Sequence, residues 1–351
     1  ENNVILGNNL LDTSSLTNKV IDDNIFVGND AGTESSGNDN VFIGEGSGIL
    51  DTGSKSVSIG NYTASNNKYD KDITTQSTGY NVNIGYLAGE ELISGTKSIN
   101  IGAGAGQKNN KSENIFVGYK TGNNVTGTKN IFMGNNSGEN AKGSNNIGIG
   151  DSSLVGDSSE SDTGSNNVAL GLSAGKFIKS SNNVVIGTEA VSEDKTIGSD
   201  NIVIGYRSGQ LMGITVSGTG PTSNIFMGAN AGNQCTGDKN IYIGQNSGNR
   251  NTSGTENVCI GYNTSNQTTD SKQGVIIGYE AGYAVDNLNG TVLIGYQAGY
   301  NIGGTSNTCI GFMSCKDGTT NNTALGYQSG MSASGSENTV IGANSGTNLL
   351  S

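Results

Sequence analysis

The chain has 351 residues, 57 of them glycine and one proline, with no histidine or tryptophan and a hydrophobic share of 32 %, too little apolar side chain for a conventional core of this length. A formal net charge of −12 removes the basic stripe that nucleic acid requires and disfavours anionic membranes. No apolar run approaches the ~20 residues of a membrane helix, and with Glu1 opening directly into a repeat, any signal peptide or anchor is expected to lie outside this segment or to have been removed.

Taken in chain order, the elements recur. Asn24 to Gly28 reads Asn-Ile-Phe-Val-Gly, Asn40 to Gly44 Asn-Val-Phe-Ile-Gly, Asn114 to Gly118 Asn-Ile-Phe-Val-Gly, and Asn130 to Gly134 Asn-Ile-Phe-Met-Gly. The phrase returns roughly twenty times between Gly7 and Gly342 at a spacing of about sixteen residues. Disordered chains do not space β-branched residues so regularly, and a repeat this short predicts stacked rungs: an all-β, parallel β-solenoid of about twenty rungs over a single domain, 1–351.

Within each rung the columns can be counted from the closing glycine. Three and one residues before it stand Val41 and Ile43, Ile99 and Ile101, Val184 and Ile186, Ile241 and Ile243, Val275 and Ile277. This period-two pair predicts a short strand whose β-branched face points inward. The residue between them varies (Phe42, Ser58, Asn83, Gly148, Tyr242, Cys259, Ala324), which assigns it to the more exposed face. Four residues before the glycine, asparagine dominates, as at Asn24, Asn40, Asn114, Asn130 and Asn240. It is expected to make a structural corner, since its amide bonds locally or to the next rung and it tolerates left-handed backbone. Beyond the glycine comes a small residue and a second glycine, as in Ala31-Gly32, Ser47-Gly48 and Ser137-Gly138, expected to let an opposing wall approach and the chain bend.

A tyrosine often follows the closing glycine directly. From Tyr262 through Tyr279, Tyr296 and Phe312 to Tyr327 the repeats run in step, so these rings should form an aromatic ladder. With Tyr69 and Tyr80, the four tyrosines of that run are the candidate partner-binding residues. Four repeats carry extra residues, near 10–23, 63–80, 154–164 and 210–223, and an insertion in a solenoid leaves the rung as a loop suited to recognition. Asp70 with Asp72, and Asp157 with Glu160 and Asp162, place carboxylates close enough to share Ca²⁺, although neither stretch matches a known calcium loop; no other cofactor is expected. Cys235, Cys259, Cys309 and Cys315 are too few for a disulfide framework and are expected to fill packed columns.

Two large apolar side chains and one small one per rung are too few to enclose a layer. Either a thin two-walled solenoid closes on its small-residue column, or several copies pool their Val/Ile columns; the second is expected.

The phrase Asn-Val-x-Ile-Gly with its following small residues resembles the head repeats of trimeric autotransporter adhesins, the YadA-like β-roll. Asn322 to Gly330, Asn-Thr-Ala-Leu-Gly-Tyr-Gln-Ser-Gly, is similar to repeats of phage and large-virus tail-fibre proteins. The resemblance covers essentially the whole chain. It implies a left-handed roll, a parallel homotrimer, and an extracellular place on a cell or virion surface, with attachment to a host-cell receptor, glycan or matrix protein. The sequence departs from the adhesins in its longer period and its insertions, and shows neither a coiled-coil stalk nor an anchor.

Without histidine or a metal cluster an enzyme is not expected. The leading expectation is a fibre or adhesin segment, a rod of about 95 Å at ~4.8 Å per rung. The alternative is a structural filament or coat protein assembling rods laterally or end to end. A flat-faced ice-binding solenoid would need a regular outward threonine ladder, and Thr308, Thr323 and Thr339 supply one only near the end.

Overall fold

Each repeat contributes one three-residue strand between its corner residue and its closing glycine, from β1 (Val4–Leu6) to β20 (Thr339–Ile341). The computed structural model describes residues 2–8, 22–65, 79–92, 95–109, 111–158, 164–193, 197–213, 220–284, 287–333 and 335–347. Two compact units divide the chain. Unit 1, Glu1–Ser173, holds β1 to β10 (Val168–Leu170), and unit 2, Ala174–Ser351, holds β11 (Val184–Ile186) to β20. Within each unit, consecutive strands pair in parallel with equivalent residues opposite one another, as in Ile25↔Val41, Phe26↔Phe42 and Val27↔Ile43, or Val275↔Val292, Ile276↔Leu293 and Ile277↔Ile294. This is the expected parallel β-solenoid; among the described residues no helix is long and apolar enough to cross a membrane.

Periodicity assigned the Val/Ile pair to the interior, and the structure reverses the two faces. Apart from Ile5 of β1, which is 41 % exposed, the strand centres are buried: Phe26, Phe42, Phe116, Phe132, Phe226, Tyr242, Ile276 and Leu293 all have 0 % exposure. The flanking residues are half-buried or exposed, Met133 at 40 % and Ile149 at 41 % among them. Two further columns complete the interior. The small column, including Ala31, Ser47, Ser137 and Ala298, is fully buried, and the residue seven after the closing glycine, Leu92, Val125, Met212 or Ile302, is buried too. A single side chain per strand therefore faces the opposing wall, and each rung closes as a thin two-walled layer within one chain. Pooling of chains is not needed to fill this interior.

In the small column, hydroxyls pair along the axis: Ser47 Oγ with Thr63 Oγ1, Ser137 Oγ with Ser153 Oγ, and Ser247 Oγ with Thr264 Oγ1, each at 2.8 Å. Burial of these polar atoms is thus compensated. The asparagine corners behave likewise. The backbone N–H of Asn40 donates to Asn24 Oδ1 at 2.8 Å and Asn40 Nδ2 donates to the Gly53 carbonyl at 2.9 Å; Asn130 and Asn240 repeat the pattern. The left-handed residue of the corner is the one before the asparagine, Asp39 (φ 60°) or Lys129 (φ 60°), and its N–H bonds back to the previous rung.

Interior volume is shared between two positions six residues apart. A Cβ added at Gly138 (φ +65°) would lie 2.0 Å from Phe132 Cδ2, and one at Gly48 would lie 2.3 Å from Phe42 Cδ2. A large ring at the strand centre thus excludes any side chain at the second glycine. In four rungs with a smaller centre a side chain enters there in the same left-handed backbone: Ser58 with Ala64 (φ 47°), Gly148 with Leu154 (φ 48°), Cys259 with Ser265 (φ 49°) and Cys309 with Cys315 (φ 49°), whereas Ala169 and Ala324 keep Gly175 and Gly330. Cys309 and Cys315 are joined as a disulfide, with Cα atoms 5.9 Å apart. The expectation of unlinked packing cysteines holds for buried Cys235 and Cys259 and fails for this pair.

Candidate functional surface

The repeat itself builds two surface features, one present on both units and one on unit 2. The first is the outward sheet face. In-register pairing stacks flanking residue upon flanking residue, for example Ile131 on Ile147 and Met133 on Ile149. This makes two adjacent apolar columns that the chain's own interior does not cover. Isolated exposed apolar residues are ordinary on a protein surface; contiguous ones mark interaction surfaces.

The second is the tyrosine column of unit 2. Tyr262 stacks on Tyr279 with ring centroids 5.1 Å apart, Tyr279 on Tyr296 at 5.3 Å, Tyr296 on Phe312 at 4.9 Å and Phe312 on Tyr327 at 5.2 Å. All five rings are exposed, between 39 % and 50 %. A parallel second stack, Tyr283 on Tyr300 at 5.2 Å, lies four residues further along the same rungs. Partial desolvation in the stack, followed by the carboxylate of Glu280, raises the phenol pKa of Tyr279, and the same causes raise that of Tyr300. Glu280 Oε2 accepts from Gln297 Nε2 at 2.9 Å, so polar side chains line the ladder. Elsewhere in this column the rings carry cations: Lys120 Nζ lies 5.4 Å from the Tyr119 ring, and the Arg207 guanidinium 4.9 Å from that of Tyr206 while bonding Glu189 at 2.6 Å.

The six candidate tyrosines thus divide. Tyr262, Tyr279, Tyr296 and Tyr327 are brought together in the ladder with Phe312. Tyr80 stands apart at 59 % exposure, with Lys55 Nζ 5.5 Å from its ring centroid. It borders a polar cleft of about 250 Å³ formed by Thr52, Gly53, Ser54, Gly79, Thr96 and Lys97. Tyr69 lies outside the described residues, as do most of the insertions near 10–23, 63–80 and 210–223 and the carboxylates Asp70, Asp72, Glu160 and Asp162. Among the described residues no group of three or more Cys, Asp or Glu is placed to hold a metal ion.

Sequence reasoning missed the outward direction of the Val/Ile columns and the Cys309–Cys315 bond. The signal for both was present in the six-residue pairing of large with absent side chains. Comparison with family models, with curated proteins and with solved structures found no match for this chain.

Proposed function

We propose that the chain is a segment of an extracellular attachment fibre, in which three copies pool their outward Val/Ile columns into a shared core. The observation that supports this reading is the pair of apolar columns left uncovered on each unit although the strand centres behind them, Ile5 aside, are already buried within the chain. A further copy of the same chain is the partner that fits, because only an identical repeat matches the columns rung for rung along their length. A buried disulfide between Cys309 and Cys315 is in keeping with an oxidising, extracellular location. In this reading the roll is left-handed, as the resemblance implies. The tyrosine ladder and the cleft beside Tyr80 remain on the outer surface for a receptor, glycan or matrix partner, and no catalysis is assigned.

Light scattering coupled to size exclusion tests the reading. A mass of three chains is the expected result. A stable single chain would overturn the pooled core, and large polydisperse species would favour rods that associate laterally or end to end as a structural filament.

A further inference from the structure

We propose that the two tyrosine stacks of unit 2 are sites of oxidative cross-linking, at which carbon–carbon bonds join one rung covalently to the next. Three adjacent tyrosine pairs meet the requirement of ring contact: Tyr262–Tyr279 at 5.1 Å, Tyr279–Tyr296 at 5.3 Å and Tyr283–Tyr300 at 5.2 Å, with interplanar angles of 19°, 7° and 15°. The first three tyrosines are exposed and the other two half-buried, so an oxidant reaches them and the rings have room to tilt. Buried Tyr242, stacked on Phe226, has neither property.

The co-reactant is a one-electron oxidant of the peroxidase type working with hydrogen peroxide. Each of two phenols gives up one electron and its hydroxyl proton, and one peroxide takes both pairs and leaves as two waters. The two phenoxyl radicals pair their unpaired electrons in a bond between ring carbons ortho to the oxygens. Each ring then regains aromaticity by passing the hydrogen on that carbon to its own oxygen. A lone tyrosyl radical must wait for a partner from another molecule, whereas here the sheet holds the second ring in contact at high effective concentration. The parallel register that stacks these rings is a property of the fold, so the contact persists as long as the rungs stay paired.

The sequence contains its own controls. Phe312 has no phenolic hydrogen to lose, so it breaks the ladder and leaves Tyr327 without a coupling partner one rung away. Tyr119 and Tyr206 are exposed but carry Lys120 and Arg207 rather than a second ring. A rung-to-rung bond complements Cys309–Cys315, which joins two points of one rung. Stability in a solenoid depends on contacts between neighbouring rungs, and the cross-link strengthens that contact directly. The inference does not depend on the number of chains in the assembly.

The test exposes the whole chain to a haem peroxidase with limiting hydrogen peroxide, then reads dityrosine fluorescence, a denaturing gel and the masses of linked peptides. Wild type should give links within one chain, each with the loss of two hydrogens, mapping to the three pairs named. Tyr279→Phe keeps the stack but should leave only Tyr283–Tyr300, a two- to three-fold loss of yield. Tyr279→Phe with Tyr300→Phe should fall to the level of the isolated tyrosines, with an unchanged strand signal in circular dichroism. Links that form mainly between chains, links that use Tyr327 or Tyr119 as readily as Tyr279, or an equal yield from the double variant would each overturn the proposal.

Discussion

Substituting alanine at the second glycine of a rung should cost very different amounts according to the residue six positions earlier. At Gly138 the backbone is left-handed (φ +65°), and the new Cβ would lie 2.0, 2.3 and 2.4 Å from Cδ2, Cε2 and Cγ of Phe132. Phe132 is fully buried and stacked on Phe116 at 5.7 Å, so it cannot move aside into solvent. A left-handed alanine costs about 1 to 2 kcal/mol, and overpacking a filled interior costs about 1 to 3 kcal/mol more. Gly330 has the same backbone (φ +60°), but its nearest neighbour would be Ala324 Cβ at 3.4 Å, an ordinary contact. There only the backbone penalty of about 1 to 2 kcal/mol applies. Urea unfolding followed by circular dichroism should rank Gly138→Ala as the more damaging of the two. Phe132→Ala alone should cost about 3 to 5 kcal/mol, and combining it with Gly138→Ala should cost clearly less than the two added together, because the removed ring relieves the clash. Transplanting the neighbouring rung's arrangement, Phe132→Gly with Gly138→Leu after Gly148 and Leu154, should be more stable than either single change. Equal penalties at Gly138 and Gly330, or strict additivity with Phe132→Ala, would refute the placement of strand centres inside.

Other consequences follow from the same geometry. Asn130→Ala removes the acceptor of the Asn146 N–H (2.8 Å) and the donor to the Gly143 carbonyl (3.0 Å); two buried backbone groups lose their partners, for about 2 to 4 kcal/mol in a denaturant titration. Ser265→Cys should form a disulfide with Cys259 by analogy with Cys309 and Cys315, detected as the loss of two hydrogens in intact mass and as a gain of about 2 kcal/mol for so short a loop. Burial pushes the thiols of Cys235 and Cys259 from an ordinary value of 9.0 up to about 12. Folding therefore favours the neutral thiols; this contribution is complete below pH 9.0 and is lost as pH rises towards about 12, at about 1.4 kcal/mol per pH unit for each thiol. Urea midpoints should fall steeply above pH 9.0 in wild type and less steeply in a Cys235→Ala, Cys259→Ala variant; parallel profiles would contradict the assignment.

The sixteen-residue rhythm revealed the positions of the strands, the buried small-residue column and the structural role of Asn24, Asn40, Asn114, Asn130 and Asn240. These features depend on local chemistry: β-branched spacing, the need for a small side chain between close walls, and amides that repeat in register. The direction of the two faces was not legible in the same way. Alternation of Val and Ile about a variable residue is compatible with either face, and the variability of Phe42, Ser58, Gly148 and Cys259 suggested exposure. Its cause is packing: in the rungs of Ser58, Gly148, Cys259 and Cys309 part of the space is filled from Ala64, Leu154, Ser265 or Cys315 instead. That compensation spans six residues and a turn of the backbone, so strand periodicity does not reveal it. The apolar columns left outside then supply the candidate interface; the sequence points to pooling of these same columns between copies, but assigns them to the inward face of the strand.

Chemical cross-linking of cysteines introduced on opposite faces of neighbouring strands tests the central claim most directly. Ile149→Cys places a thiol on the outward face and Ala169→Cys, on the next strand, places one in the interior column already occupied by Cys259 and Cys309. With a short bifunctional maleimide, the outward thiol should give covalent species larger than one chain, while the interior thiol and native Cys259 stay unmodified until the protein is unfolded. Interior thiols that link chains together, or an outward thiol that reacts only as a single chain, would contradict the account.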